Sequence, residues 1–179
     1  MPTNLIKIYN QLLEIAHLSE TARIVSLKRI FDRDITDNLN FNFRSKIIRP
    51  LKIDGLPDMQ TLFGHLTCQV EEQIGEDGKI IKSRSVFDYK RSERLHWIRH
   101  HIEEKTPSTI DVFSYLDRIN SKDVIRTYIL DETENYVIVL EPQRSQTDYY
   151  LLTAYYLTKE KGGIKQMKKK SKKRLAEVY

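Results

Sequence analysis

The segment Arg91-Ser-Glu-Arg-Leu-His-Trp-Ile-Arg-His-His-Ile102 carries three of the five histidines in the chain, together with three arginines. Read as a helix, at about 100° per residue, it puts His96 and His100 on one face with Glu103. Arg94 and His101 then flank Trp97 on the opposite side, and Arg99 borders the apolar stripe. Histidine titrates near neutrality, so such a group is suited to moving protons. The spacing of His96 and His100 is also that of a zinc-binding helix. The residues between them, however, are Trp97, Ile98 and Arg99, which supply no carboxylate base and set a cation beside the metal, so no metal is expected. The plain alternative for the trio is an exposed helix face.

A second group lies in Tyr149-Tyr-Leu-Leu-Thr-Ala-Tyr-Tyr-Leu157. In a strand of period two, Thr153 and Tyr155 share a side with Tyr149, Leu151 and Leu157, and Tyr150, Leu152, Ala154 and Tyr156 take the other. Ordinary sheet packing would also account for them. Arg126 and Tyr128 share one face of an apolar run at 124–130. An arginine in the middle of a strand needs a carboxylate, such as Glu93, or an anion. Beyond the strand comes Lys165-Gln-Met-Lys-Lys-Lys-Ser-Lys-Lys-Arg174. Lys165, Lys168, Lys169, Lys170, Lys172, Lys173 and Arg174 form a cationic element suited to a phosphate backbone, and a solvated tail is the alternative reading.

These pieces suit metal-independent cleavage of RNA. That reaction needs a base for the 2′-hydroxyl, an acid for the leaving 5′-oxygen, a fixed cation for the charged phosphorane and a groove for the backbone. Arg94, His96, Arg99, His100, Arg126, Thr153 and Tyr155 are the candidate catalytic residues. Arg94, Arg126, Thr153 and Tyr155 are expected to converge in one cleft. A Walker loop, GxGxxG, GxSxG and paired CxxC are all missing from the sequence, and no cofactor is expected.

The charge distribution agrees with an anionic partner. The net charge of the 179 residues is +5. Residues 159–179 alone carry +7, and the rest of the chain −2. With 40% hydrophobic and 31% charged residues the chain is neither disordered nor membrane-spanning. The amino-terminal residues lack the pattern of a signal peptide. Cys68 has no second cysteine to pair with and is expected as a small buried hydrophobe, so a reducing, cytoplasmic location is expected.

The elements needed to position these groups follow from periodicity. Apolar spacing predicts a helix over 4–17, and a second from Ser19 to Phe31, together an antiparallel hairpin. Residues 34–45 read as loop, and 46–53 as an edge strand or irregular segment. Asp54-Gly-Leu-Pro57 reads as a turn, with Pro57 opening a short helix through Gly64. A hairpin is expected around Gly75–Gly78, and one helix over 87–104. Four consecutive strands follow at 110–116, 124–130, 136–141 and 149–158, and the basic helix closes the chain at 164–177. The expected fold is α+β, with N-terminal helices and a four-stranded antiparallel sheet packed with helices. Residues 1–55 form the hairpin and linker, and 56–179 a nuclease domain, with one continuous domain as the alternative.

The phrases Arg91-Ser-Glu-Arg94…Trp97-Ile98, Tyr150-Leu-Leu-Thr-Ala-Tyr155 and the Lys-rich ending through Arg174-Leu-Ala-Glu177 resemble the phage-associated barnase–EndoU–colicin E5/D–RelE-like nucleases. The resemblance covers about residues 60–179. It implies a barnase/RelE-like fold and a metal-independent endoribonuclease acting as a toxin of a phage or mobile element. It also implies site residues at Arg94, Thr153 and Tyr155, with Glu93 orienting Arg94. RNA is the implied partner; under a protein-interaction reading the basic helix would instead pair with an acidic antitoxin or immunity protein. The alternative is a non-catalytic nucleic-acid-binding or protein-interaction module.

Overall fold

The computed structural model describes residues 3–50, 52–53, 56–74, 80–106, 109–143, 145, 147–159 and 162–179. Of the turn expected at 54–57, residues 54–55 lie outside them, and so does the hairpin tip expected at 75–78. The central feature is a six-stranded mixed sheet in the order β1-β2-β10-β9-β8-β7. Its strands are β1 (Asn42–Phe43), β2 (Lys46–Arg49), β7 (Ile110–Ile119), β8 (Lys122–Asp131), β9 (Tyr136–Pro142) and β10 (Asp148–Tyr156). Two-stranded ribbons are formed by β3 (Lys52–Ile53) with β4 (Leu56–Pro57), and by β5 (Cys68–Ile74) with β6 (Ile80–Phe87).

The four-stranded antiparallel, barnase/RelE-like sheet is therefore corrected. The meander β7-β8-β9-β10 is present, but the amino-terminal segment adds two strands to it. β2 pairs parallel to β10, with Asp148 opposite Ile47 and Tyr150 opposite Arg49. Arg49 and Asp148 reinforce that register with an ion pair at 2.8 Å. Ile48 is buried in the main core, so the segment read as an edge or irregular piece lies inside the sheet.

Helix α1 (Glu20–Phe31) starts where its cap predicts: Ser19 Oγ accepts from the Ala22 N–H, Glu20 lies in the first turn, and Lys28 and Arg29 lie in the last. The helix expected over 4–17 is not formed. Only Thr3–Ile6 make a 3₁₀ turn. Asn4 exchanges two hydrogen bonds with the Glu14 backbone, and Leu13 N–H donates to the Glu93 carbonyl. These side-chain and tertiary bonds take backbone groups that a helix would have used. No helical hairpin exists as a result.

Helix α2 (Met59–Thr67) begins after Asp58, whose carboxylate accepts from Thr61 N–H, rather than at Pro57. The helix expected over 87–104 is two short pieces, α3 (Tyr89–Ser92) and α4 (Trp97–Ile102), joined by turns at 93–96. Helix α5 (Gly163–Lys172) follows Gly162, whose φ of +79° suits only glycine without strain.

The two faces of the large sheet carry different layers. On the first, Leu27, Ile30 and Phe31 of α1, Leu62 and Leu66 of α2, and Trp97, Ile98 and Ile102 of α4 pack on Ile129, Ile138, Leu140, Leu151 and Ala154. On the second, Met167 and Ile164 of α5 pack on Phe113, Tyr128, Leu130, Val137, Val139 and Leu157.

A β-bulge separates the two halves of β10. Leu151 opposes Leu140 and Thr153 opposes Val139, so Leu152 is an extra residue. One extra residue reverses the facing of everything after it. Tyr149 and Leu151 share the first core with Ala154, whereas Tyr155 and Leu157 pack with the second. The expectation that Thr153 and Tyr155 face with Tyr149 and Leu151 fails for this reason.

Candidate active site

The bulge is also where β10 changes neighbour. β2 pairs with it only through Tyr150, and the carboxyl end of α2 covers its edge beyond that point. His65 Nδ1 lies 3.3 Å from the Leu152 carbonyl. Thr153 Oγ1 donates to the His65 carbonyl at 3.2 Å and accepts from Arg91 Nη1 at 2.9 Å. Arg91 Nη1 also donates to the His65 carbonyl at 2.5 Å. The Arg91 guanidinium lies 5.5 Å from the centre of the Tyr155 ring. Thr153 and Arg91 thus clamp α2 and α3 onto the strand.

The clamp forms one wall of a cleft of about 260 Å³ on the second face of the sheet. Arg126, Tyr128, Val139, Leu152, Thr153 and Tyr155 supply the floor. His65 and Arg84 stand on one side and Lys170 of α5 on the other. Three permanent cations and a histidine line the cleft, and among the described residues no carboxylate does. Arg126 has its nearest carboxylate, Glu141, at 3.9 Å, and its buried Nε has no hydrogen-bond partner. Lys170 Nζ donates to the Tyr128 hydroxyl at 2.8 Å and pairs with Asp117 at 2.5 Å, and the Tyr128 hydroxyl donates to Asp117. Asp117 therefore holds Lys170 and Tyr128 in place from beneath.

Electrostatics separate the proton carriers here. Burial, followed by the charges of Arg84 and Arg91, pushes the His65 pKa below its usual 6.5. The ring is neutral at pH 7 as a result. Because a carbonyl only accepts, the ring proton sits on Nδ1 facing Leu152, and Nε2 keeps its lone pair. Burial raises the Tyr155 pKa above 10, against a smaller lowering effect of Arg91, so the phenol stays protonated. Burial and the Asp117 hydrogen bond raise Tyr128 further. A neutral base and a protonated acid coexist beside fixed positive charge.

Of the residues singled out by sequence, Arg126, Thr153, Tyr155 and Lys170 meet in this cleft; the others do not. Arg94 Nη1 is bonded to Glu93, as expected, and to the Lys90 carbonyl at 2.7 Å, with its guanidinium 4.5 Å from the Tyr156 ring. The arginine that reaches Thr153 and Tyr155 is Arg91, one helical turn earlier. His96 is buried with Nε2 3.3 Å from the Ile8 carbonyl, and burial pushes its pKa down to about 4. Half-buried His100 is likewise lowered by burial. Arg99 is tied to Glu103 at 2.7 Å and Asp34 at 3.5 Å. His101 is fully buried, between the Trp97 carbonyl at 2.8 Å and Asp131 at 3.1 Å. The trio is thus neither an exposed helix face nor part of the cleft.

On α5, Lys165, Lys168, Lys169 and Lys172 are exposed, as is Lys173 just after it. Lys168 pairs with Glu132 at 2.7 Å, and Arg174 with Asp111 at 2.9 Å. The residues after α5 are not a free tail, because Leu175 N–H donates to the Ser114 carbonyl. Cys68 is half-buried rather than buried. Among the described residues no three His, Cys, Asp or Glu side chains are placed to hold a metal, and no helix is long and apolar enough to cross a membrane.

His65, Arg84 and Arg91 were missed by sequence reasoning. Arg91 lay inside the quoted motif, and the signal that could have found it is the spacing of Arg91 from Asp88, its helix cap. His65 and Arg84 carry no local signal. No family model, curated protein or solved structure matches this chain.

Proposed function

We propose that this protein is a metal-independent endoribonuclease whose active site is the cleft between α5 and the end of α2. The observation that carries the reading is the gathering of Arg84, Arg126 and Lys170 with His65 and Tyr155 around one cavity that no carboxylate among the described residues lines. An excess of cations around a concave site favours a phosphate ligand. A neutral histidine and a protonated phenol at the same phosphate suit general acid–base chemistry.

In this reaction the 2′-hydroxyl of one nucleotide gives its proton to His65 Nε2. Its oxygen attacks the adjoining phosphorus, and the bond from phosphorus to the 5′-oxygen breaks. Tyr155 gives its phenolic proton to that departing oxygen. The products are a 2′,3′-cyclic phosphate end and a free 5′-hydroxyl, and water restores both side chains to their starting protonation. Arg126 and Lys170 stabilise the charge that builds on the phosphorane oxygens. Thr153 and Arg91 are positioning residues that fix His65 against the strand. The exposed lysines of α5 extend the cationic surface along the RNA backbone. The setting that fits the reading is the cytoplasm, where RNA is at hand and a lone cysteine stays reduced, and a toxin role follows if the RNA attacked is that of the host cell.

The test is incubation of the purified chain with single-stranded RNA in EDTA, with product ends identified by mass. Cyclic phosphate ends that vanish in His65→Gln and Arg126→Ala support the reading. Intact RNA with folded protein overturns it, and salt-dependent binding without cleavage would leave a nucleic-acid-binding module instead.

A further inference from the structure

Behind Tyr155 lies a second cavity of about 220 Å³, which shares that ring with the cleft. It is lined by Gln69, Asp88, Lys90, Arg91, Tyr156 and Thr158 besides Tyr155. Its chemistry differs from that of the cleft. It holds one carboxylate, two cations, one amide, one threonine hydroxyl and two phenol rings, so donors and acceptors are mixed beside flat apolar surface. Two of its lining residues each hold a buried polar atom without a hydrogen-bond partner, Arg91 Nε and Thr158 Oγ1. Arg91 itself is only 8% exposed. Its Nη1 is taken by Thr153 and His65, and Asp88 lies 3.8 Å from Nε, beyond hydrogen-bond range. Buried donors left unpaired are costly, and a ligand that satisfies them gains by it.

We infer that this cavity is a nucleobase-reading subsite for the nucleotide adjoining the scissile phosphate, taking a base that presents a carbonyl oxygen. The inference rests on the nuclease reading of the neighbouring cleft. Arg91 Nε donates to the base carbonyl, Thr158 Oγ1 bonds the ring edge beside it, and the Tyr156 ring supports the base. Mixed polarity argues for a base over a second phosphate, which would meet Asp88. The substrate must be single-stranded, because paired RNA hides these edges. Tyr155, common to both cavities, sets the distance between base recognition and bond breaking.

Binding of non-cleavable 2′-O-methyl tetranucleotides, one for each base, tests this by fluorescence anisotropy with the full chain. The guanine, uracil and cytosine oligomers, whose bases each present a carbonyl oxygen, are expected to bind about tenfold tighter than the adenine oligomer, whose base has none. Thr158→Val, nearly unchanged in shape, and Gln69→Ala should flatten that preference while keeping the salt-dependent backbone affinity. Equal affinity for all four bases, or an unchanged preference in Thr158→Val, overturns the subsite. Cleavage of ordinary RNA is scored separately. Base preference without cleavage overturns the nuclease reading and leaves the subsite standing, and cleavage without base preference does the reverse.

Discussion

Among the described residues, histidine, tyrosine and arginine gather in two places, and these differ in where their counter-charges sit. Around Trp97, His101 lies against Asp131, Tyr9 donates to the same carboxylate, and Asp131 also accepts from the Glu134 N–H in the β8–β9 turn. Burial opposes the charge of Asp131, but these hydrogen bonds outweigh it and hold its pKa below the usual value. Arg99 nearby has its own carboxylates in Glu103 and Asp34. Every charge there is answered from within. In the cleft, Arg84, Arg126 and Lys170 line a cavity into which no acid among the described residues is set, Asp117 and Glu141 lie outside its lining, and Arg126 keeps an orphaned Nε. The same residue types make a core strut in one place and an open site in the other. The residue list does not tell them apart, whereas the place of the counter-charge does: Asp131 lies among its partners, but Asp117 and Glu141, which pair with Lys170 and Arg126, stand outside the cavity lining.

The sharpest way to break this comparison is to change one residue in each place, the histidine of the cleft and the carboxylate beside His101. His65→Gln should lower cleavage by about 10²- to 10⁴-fold, the usual range for a lost general base, with little change in stability. The wild-type rate should fall on the acid side with a midpoint below pH 6.5, because burial and the charges of Arg84 and Arg91 depress that histidine, and the variant should lose this limb. Asp131→Ala leaves His101 buried without its partner and should destabilise the fold by about 3–5 kcal/mol in a denaturant titration. Cleavage per folded molecule should stay unchanged. If Asp131→Ala abolishes cleavage in fully folded protein, the two regions have been assigned the wrong way round.

Smaller effects sharpen the contrast. His96 has a folded pKa of about 4, below its unfolded value of about 6.5. Between these values the unfolded chain binds more protons, so stability is full above pH 6.5 and declines as pH falls toward 4. The loss approaches about 3 kcal/mol, and His96→Gln should remove this slope from a pH series of unfolding curves. Replacing Lys165, Lys169, Lys172 and Lys173 together by Gln should leave stability within about 0.5 kcal/mol. It should reduce the salt dependence of RNA binding by about 0.7 in log–log slope for each phosphate that is no longer neutralised.

Much of the scaffold could be read from the chain alone. Ser19, Glu20 and the apolar rows of α1 agreed with one another, and the four strands from Ile110 onward were set off by clear turns. The failures have local causes. The 4–17 segment has helical spacing, yet Asn4 binds the Glu14 backbone and Tyr9 reaches Asp131, partners distant in sequence. The strand pairing of Ile47 with Asp148 spans about a hundred residues and leaves no periodic trace. Leu152 looks like any strand leucine, yet as the bulge residue it decides which face Thr153 and Tyr155 take. The site was half legible for that reason: its residue types were visible, but Arg94 stood in for Arg91, and His65 and Arg84 came from elements whose approach to β10 depends on the tertiary fold.

The parallel partnership of β2 with the first residues of β10 has a consequence for how the protein tolerates trimming. A shortened form beginning near Met59 would keep the cleft residues but lose the α1 layer of the main core and strip Tyr149 and Tyr150 of their neighbour, leaving bare amide and carbonyl groups along an apolar border. Such a border recruits strands from other molecules, so the fragment should self-associate in solution. The opening fifty residues then serve as a built-in sheath, keeping a strand that presents chemistry on one side from becoming a seam for fibre growth.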